Sequence, residues 1–378
     1  MGRQRIKSTT VMFIALSGLV ATGSAVEEPE TDMTVVWKRG DNGYYMHRIP
    51  AIVLTKKGTL LAFAEARKNG RGDHGDIDLV VKRSSDMGKT WSDFILVHED
   101  GGTKKITIGN PVPIVDRKTG DVIVAFQRTN EDRVATGTHI SRSKDDGVTW
   151  SAPMEIIELV QFEGMEYARP GPGHGIQLKH GKHAGRMIVP CYSVSTEEYR
   201  AKHGFGGIYN FMAYSDDGGT TWTHGKKTSA GLGEPVAAEL ADGTIILTSR
   251  QYTDQRWRRA ISYSKDGGET WSEAEFRADL PDCNCQGSIL AVDKGPDTLL
   301  LHSNCPGPGE KRNRLTIRLS RDGGKSWSAS WVLEPGKAQY SDLVALPDGT
   351  VGCLFERGDK YRTAITFARF AMERLGVK

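Results

Sequence analysis

Five copies of one eight-residue pattern, Ser-x-Asp-x-Gly-x-Thr/Ser-Trp, constrain this 378-residue chain more than any other feature. The first is Ser84-Ser85-Asp86-Met87-Gly88-Lys89-Thr90-Trp91, and the others occupy 143–150, 215–222, 264–271 and 320–327. Their starts lie 59, 72, 49 and 56 residues apart, and five of the eight Trp residues end a copy. The pattern has the chemistry of a hairpin turn. Asp collects backbone amides, Gly takes a positive φ, and Ser and Thr satisfy local polar groups. The Trp is expected to anchor the hairpin inside its own repeat. Strand-like runs at 77–82, 211–214, 259–263 and 315–319 precede four of the copies. Each box is therefore expected to join the third and fourth strands of a four-stranded unit, and a period near 50 residues built from such units indicates a propeller.

The length allows six or seven units. Residues 340–370 carry strand patterns, including Leu343-Val344-Ala345-Leu346 and Ala364-Ile365-Thr366-Phe367, but no box. They read as a sixth unit, which a strand near 34–38 would complete and so close the ring. The expectation is an all-β, six-bladed β-propeller forming a single domain over residues 26–378. The high Gly content, 44 residues against 15 Pro, agrees with a turn-rich β chain.

Residues 1–25 read as a signal peptide. Arg3, Arg5 and Lys7 precede an apolar stretch from 11 to 21, and small residues Gly23-Ser24-Ala25 offer a cleavage site. The stretch is short for a bilayer span and no stop-transfer pattern follows, so no stable membrane insertion is expected of the mature chain. The address expected is secreted or periplasmic. The whole chain has a formal net charge of +3, and its first 25 residues hold three Lys or Arg and no Asp or Glu. The remainder is neutral, which argues against nucleic acid as a partner. Export permits disulfides, but the five Cys are odd in number. Cys283-Asn284-Cys285 has no second CxxC or His cluster beside it, so buried thiols are expected rather than a metal pair. No metal or organic cofactor is expected.

In propellers, ligands sit where the inner strands meet at the central channel, so candidates for chemistry should lie near those strand ends. Arg48-Ile49-Pro50-Ala51, then Ala62-Phe63-Ala64-Glu65-Ala66-Arg67, then Gly72-Asp73-His74-Gly75-Asp76-Ile77-Asp78, followed by the ordered boxes, resembles the sialidase (neuraminidase) family over nearly the whole chain after residue 25. The resemblance implies three arginines that bind the carboxylate of sialic acid: Arg48, Arg250 and Arg312, with Arg314 a nearby rival for the third place. Guanidinium suits the task because it is always charged and forms paired hydrogen bonds to a carboxylate. It further implies Arg67 as a pocket residue binding the sugar and Asp73 as general acid/base, with Asp76 and Asp78 as competitors. Asp78, which starts a strand, is expected to face solvent.

Tyr340, in Tyr340-Ser341-Asp342-Leu343, matches the family's nucleophile, and Glu234 its partner base, with Glu239 the rival. Sialidases are a recognised exception to the two-carboxylate rule of glycosidases. The carbon attacked carries a carboxylate, so an anionic nucleophile would be repelled, whereas a phenol stays neutral until a neighbouring carboxylate takes its proton. Pro235 directly after Glu234 departs from what the pattern leads one to expect. Glu356 is implied as the orienting partner of Arg48, since a buried arginine needs one. Two stretches, 169–177 and 285–288, together with Tyr192, resemble segments near the family's pocket and read equally as tight structural loops. His174 is expected to be structural.

The function implied is an exo-α-sialidase that acts on sialylated glycans, glycoproteins or glycolipids with retention of configuration. A trans-sialidase, including an intramolecular one, would use the same residues. A non-catalytic binding propeller would keep the boxes and lose the centre, which this chain does not.

Overall fold

The computed structural model describes residues 31–132, 135–160, 162–197, 201, 207–252, 257–294, 297–307, 311–358 and 364–377. The expected signal peptide at 1–25 lies outside them. Each box falls at a hairpin between the third and fourth strands of a group. After β1 (Thr31–Lys38) come β2 (Met46–Leu54), β3 (Leu60–Arg67), β4 (Ile77–Ser84) and β5 (Ile95–His98), with the first box between β4 and β5. The second box follows the third strand of β6 (Thr107–Val115), β7 (Val122–Thr129), β8 (Ala135–Ser143) and β9 (Met154–Glu155). Next are β10 (Met165–Pro170), the short β11 (Ile176–Gln177), β12 (Met187–Ser195), β13 (Ile208–Ser215) and β14 (Thr223–His224), with the third box after β13. The fourth box lies between the last two of β15 (Leu232–Glu239), β16 (Ile245–Gln251), β17 (Arg258–Ser264) and β18 (Glu275–Pro281). The fifth follows β21 in the series β19 (Ser288–Lys294), β20 (Asp297–Asn304), β21 (Asn313–Ser320) and β22 (Ala329–Ala345), after which β23 (Val351–Arg357) and β24 (Ala364–Phe370) complete the order.

Within each group successive strands pair antiparallel. β22 is 17 residues long and serves two groups: its first half pairs with β21 and its second with β23. The free edge of β24 is covered by β1, from Thr31↔Phe370 to Lys38↔Ala364. The strand expected to close the ring therefore does pair with the last group. This explains the missing sixth box. The outer pair of that group joins strands from opposite ends of the sequence, so no hairpin exists there for a box to turn.

The five boxes share one hydrogen-bond set. Ser84 Oγ donates to Asp86 Oδ1 (2.7 Å) and accepts from the Gly88 amide (2.9 Å), while Asp86 accepts from the Thr90 amide (2.9 Å) and hydroxyl (2.5 Å). The same bonds recur around Asp145, Asp217, Asp266 and Asp322. Gly88 sits at φ +88°, which only glycine takes freely.

Two box tryptophans, Trp91 and Trp150, correct the sequence expectation, because their rings meet those of the preceding group. Trp91 meets Phe367 of β24 edge-on at 5.6 Å between ring centroids, and Trp150 meets Phe63 of β3 at the same distance. The box glycines follow suit. A Cβ on Gly88, Gly147, Gly219, Gly268 or Gly324 would run into Phe367, Leu61, Ile123, Met212 or Ile246 respectively, in each case a residue of the preceding group. One four-stranded sheet has no interior deep enough for an indole; the space between two sheet faces does. The apolar core is accordingly split into clusters shared by neighbours. One joins Trp37, Ile52 and Leu60 to Leu354 and Phe367, and another joins Leu61, Phe63 and Val81 to Val124 and Phe126.

At the centre, the inner strands are tied by a buried polar knot. Asp342 on β22 accepts from the Ile52 amide (2.9 Å) of β2 and from Ser288 Oγ (2.8 Å) of β19, and lies 2.7 Å from His174 Nδ1. Burial works against charge on His174, but Asp342 outweighs it and raises the imidazole above its ordinary value. His174 is thus a structural element of the hub, as expected. The five cysteines are all buried thiols.

Candidate active site

Four inner strands break their pairing register near one end, and three of the candidate residues, Arg48, Glu234 and Tyr340, sit at these breaks. In β2 the shift falls between Arg48 and Ala51, in β6 between Gly109 and Val112, in β15 between Gly233 and Pro235, and in β22 between Ala338 and Ser341. Each is a β-bulge, which re-aims a side chain and interrupts the ladder. Ile49, Asn110 and Glu234 take left-handed φ values of 55°, 52° and 43° there. Pro50, Pro111 and Pro235 follow them. A bulge strands backbone groups, and proline has no N–H to strand. Pro235, unexpected in the sequence, thus belongs to the device that turns Glu234 inward.

The bulges of β2, β15 and β22 open onto a cavity of about 1160 Å³ lined by Arg48, Asp73, Glu234, Arg250, Arg312 and Tyr340, among others. Arg48 is buried on β2. Its Nε and Nη2 donate to the two oxygens of Glu356 on β23 (3.1 and 3.2 Å), and Glu356 also accepts from the Ile49 amide (2.9 Å). Its Nη1 is left to reach Asp73 at 3.1 Å. Burial disfavours the charge on Arg48, but Glu356 more than compensates and holds it cationic.

Asp73 stands on the loop after β3 with its side chain 74% exposed, bridging Arg48 and Arg67 Nη1 (2.9 Å). Arg67 is buried behind it and does not line the cavity with the other three arginines. Its Nε and Nη2 donate to Glu65 Oε2 (3.0 and 2.6 Å), and Nη1 also donates to the carbonyls of Arg71 and Gly72. Arg67 thereby fixes the base of the loop that carries Asp73. The competitors for the acid role are placed elsewhere. Asp78 is buried, contrary to its expected exposure, because it accepts from the Tyr44 hydroxyl (2.6 Å) and pairs with Lys68 (3.2 Å); Asp76 is buried and pairs with Lys68 as well (2.9 Å).

On the facing side, the Tyr340 hydroxyl donates to Glu234 Oε1 at 2.6 Å, and Arg250 Nη1 donates to Glu234 Oε2 at 3.0 Å. The guanidinium carbons of Arg48 and Arg312 lie 5.2 and 5.9 Å from the centre of the Tyr340 ring. Burial, then the charge of Glu234, push the phenol well above its ordinary value, so it rests neutral. Burial alone would raise Glu234 too, but Arg250 and the Tyr340 hydroxyl overcome this and hold it below the usual carboxylate range. The pair is a neutral donor on an ionised acceptor, an arrangement in which the acceptor can take the donor's proton. The rivals are again remote: Glu239 caps the Lys179 and His180 amides (2.6 and 2.9 Å), and Arg314 is exposed and does not line the cavity.

Sequence reasoning missed three supporting residues. Asn284, in a left-handed conformation (φ 58°), accepts from Arg250 Nε through its side chain (2.9 Å) and from Arg312 Nη2 through its main-chain carbonyl (3.3 Å). Gln339 accepts from Arg312 Nη1 (3.0 Å), and Glu65 also takes the Asn110 amide (3.1 Å). The only signal for Asn284 was an Asn, the residue after Gly most tolerant of positive φ, between two cysteines. The softer stretches read as structural. Gly171 packs against Pro235 so closely that a Cβ would lie 2.5 Å from its carbonyl, and buried Gln286 bonds the Pro172 carbonyl and both backbone groups of Ser341. Tyr192 is 3.4 Å from Asn110 Nδ2, away from the cavity lining. Among the described residues, no group of three or more His, Cys, Asp or Glu could hold a metal ion.

The chain is similar to several known proteins. A family model described as a BNR repeat-like domain matches residues 53–353. A sialidase of Micromonospora viridifaciens is 33% identical over 369 residues, covering 92% of this chain and 54% of the relative. A sialidase of Bacteroides fragilis is 32% identical over 355 residues, covering 86% of this chain and 62% of that protein. The chain thus spans little more than half the length of these two relatives. Among solved structures, the Hadza microbial sialidase Hz136 superposes with a TM-score of 0.78 at 28% identity, covering 89% of this chain and 68% of that one. The nearly all-β fold described above is the β-propeller fold of that neighbour.

Proposed function

This chain belongs to the sialidase family, and from that premise we propose that it is an exo-α-sialidase that removes terminal sialic acid with retention of configuration. The observation that carries the reading is the 2.6 Å hydrogen bond from the Tyr340 hydroxyl to Glu234, beneath Arg250 and Arg312 and beside Arg48. Arg48, Arg250 and Arg312 hold the sugar carboxylate by paired, charge-assisted hydrogen bonds. Glu234 takes the phenolic proton as the Tyr340 oxygen bonds to the anomeric carbon. Asp73, at the mouth, gives a proton to the departing glycosidic oxygen. In the second half, Asp73 removes a proton from water, water attacks the anomeric carbon, and the proton returns from Glu234 to Tyr340. Two displacements leave the configuration unchanged.

We further propose six four-stranded blades in one domain over residues 26–378, with residues 1–25 removed on export to the periplasm or the medium. The strand grouping supports six: β22 is shared by two groups, β1 supplies the last strand, and each box packs on the group before it. Sialylated glycans, glycoproteins or glycolipids are the substrates, and nucleic acid is not a partner because residues 26–378 carry no net charge.

The test is release of sugar from a fluorogenic sialoside and from 3′-sialyllactose, with the product followed by NMR. We expect α-sialic acid as the first product, and Tyr340→Phe and Asp73→Ala to lose about 10²–10⁴-fold in turnover on the lactoside. The Asp73 variant should lose less on the fluorogenic substrate, whose leaving group needs little acid help. An anhydro sugar, or transfer to an added glycan, would replace hydrolysis with trans-sialylation. No release by folded protein would overturn the sialidase reading.

A further inference from the structure

We propose that the mouth of the active-site cavity holds a second anion subsite, so that the preferred substrates are sialosides whose leaving sugar is itself acidic. This rests on the sialidase reading above. Residues 26–378 are neutral as a whole, yet the cavity lining contains six Lys or Arg and only two Asp or Glu. Both acids are already engaged, Glu234 with Arg250 and Asp73 with Arg48 and Arg67. The sialic acid carboxylate accounts for Arg48, Arg250 and Arg312. Lys311 and Lys337 are the cations that this leaves over, and Arg71 lines the same cavity.

Their placement fits the leaving-group side. Arg71 is two residues from Asp73, the group that faces the departing oxygen. Lys311 and Lys337 stand together across the opening, since Asn313 of β21 pairs with Lys337 of β22 in register. Both lysines are exposed, line the cavity, and have no acidic partner among the described residues. The volume agrees as well. A site enclosing one drug-sized ligand measures about 300–1,000 Å³, and this one, at about 1160 Å³, has room beyond a single sugar ring. A neutral galactose would leave two ammonium groups facing it with nothing to bind. A carboxylate or a sulfate on that sugar would meet them.

The experiment compares kcat/KM for three substrates: 3′-sialyllactose, α2-8-linked disialyllactose, and a 3′-sialyl-N-acetyllactosamine sulfated at the 6-position of its galactose. The variants are Lys311→Ala, Lys337→Ala and the double variant, surface changes that leave the core untouched. We expect wild type to favour at least one acidic substrate over 3′-sialyllactose by about tenfold at low salt, with the gap closing as screening rises. The double variant should abolish the preference while staying within about twofold of wild type on 3′-sialyllactose, whereas loss of general steering of anionic sugars would weaken all three substrates alike and leave the preference in place. Which acidic substrate responds tells carboxylate from sulfate. No preference in wild type, or a preference that survives the double variant, overturns the subsite alone. Failure to cleave 3′-sialyllactose at all overturns the sialidase reading beneath it.

Discussion

Glu234 stays ionised in a buried site because Arg250 and the Tyr340 hydroxyl both favour its charged form. A base must be ionised to work, so its contribution is lost only as pH falls through this lowered value. Replacing Arg250 with Met leaves burial to dominate and raises the carboxyl. The acid limb of the kcat/KM profile should then move to higher pH, and a limb that stays put would remove Glu234 from the base role. Asn284 offers a second handle. Asn284→Gly keeps the left-handed backbone, and with it the carbonyl that meets Arg312, but loses the bond to Arg250. A lost hydrogen bond to a charged group amounts to about tenfold or more in binding, so KM should rise by that factor with kcat little changed. The residues proposed to react could be picked out in the sequence because their chemistry dictates their type, a guanidinium for a carboxylate and a phenol where an anion would be repelled, and the structure brings them to one cavity. Asn284, Glu65 and Gln339 were not. They act on other side chains or through a main-chain carbonyl, and nothing in a linear pattern states which arginine a carbonyl will face.

The box is the element in which sequence and structure coincide most closely, because its bonds close within eight residues and depend on nothing distant. Three of its aspartates, Asp86, Asp145 and Asp217, are lowered to about 2: partial burial opposes this, but Ser and Thr hydroxyls and amides outweigh it. Unfolded, these carboxyls titrate near about 3.9. The stability they add is therefore complete above that value and disappears as pH falls toward 2. Asp145→Ala should cost about 1–3 kcal/mol in urea unfolding at pH 7 by leaving box donors unsatisfied. The stability gap between wild type and Asp145→Asn should narrow steadily from pH 4 to pH 2. Turnover per folded molecule should not change in either variant, since the boxes lie outside the cavity lining. What the pattern did not disclose was the destination of its Trp. A turn motif specifies its own hydrogen bonds, but the partner of its indole, Phe367 for Trp91 and Phe63 for Trp150, lies hundreds or scores of residues away.

At the scale of the molecule, every group leans on the one before it, and the first leans on the last. Phe367 lies at that seam, against Gly88 and Trp91 of the first box, in the cluster that also buries Trp37 of β1. Phe367→Ala should cost about 3–5 kcal/mol, read as a fall in the urea midpoint, because the cavity opens where the ring is joined. A loss near that of an exposed position would mean that the seam is not a principal support. The four-strand grouping around each box was readable from the period of the boxes, as was the return of a strand near 34–38. The bulges were not, because inner strands such as β2 and β15 are buried on both faces and have no polar–apolar alternation for an extra residue to interrupt.

The pairing of β1 with β24 has a consequence for how the molecule comes into being. Synthesis runs from β1 to β24, so β1 must wait for β24 before it can pair. Through all of that time two sheet edges stand open, with unpaired amides and carbonyls that any other extended chain can bind. Closure is a single late event that no partial product can rehearse. A chain cut short at any point before 364 reaches the solvent as an open arc, whatever the quality of the groups already formed.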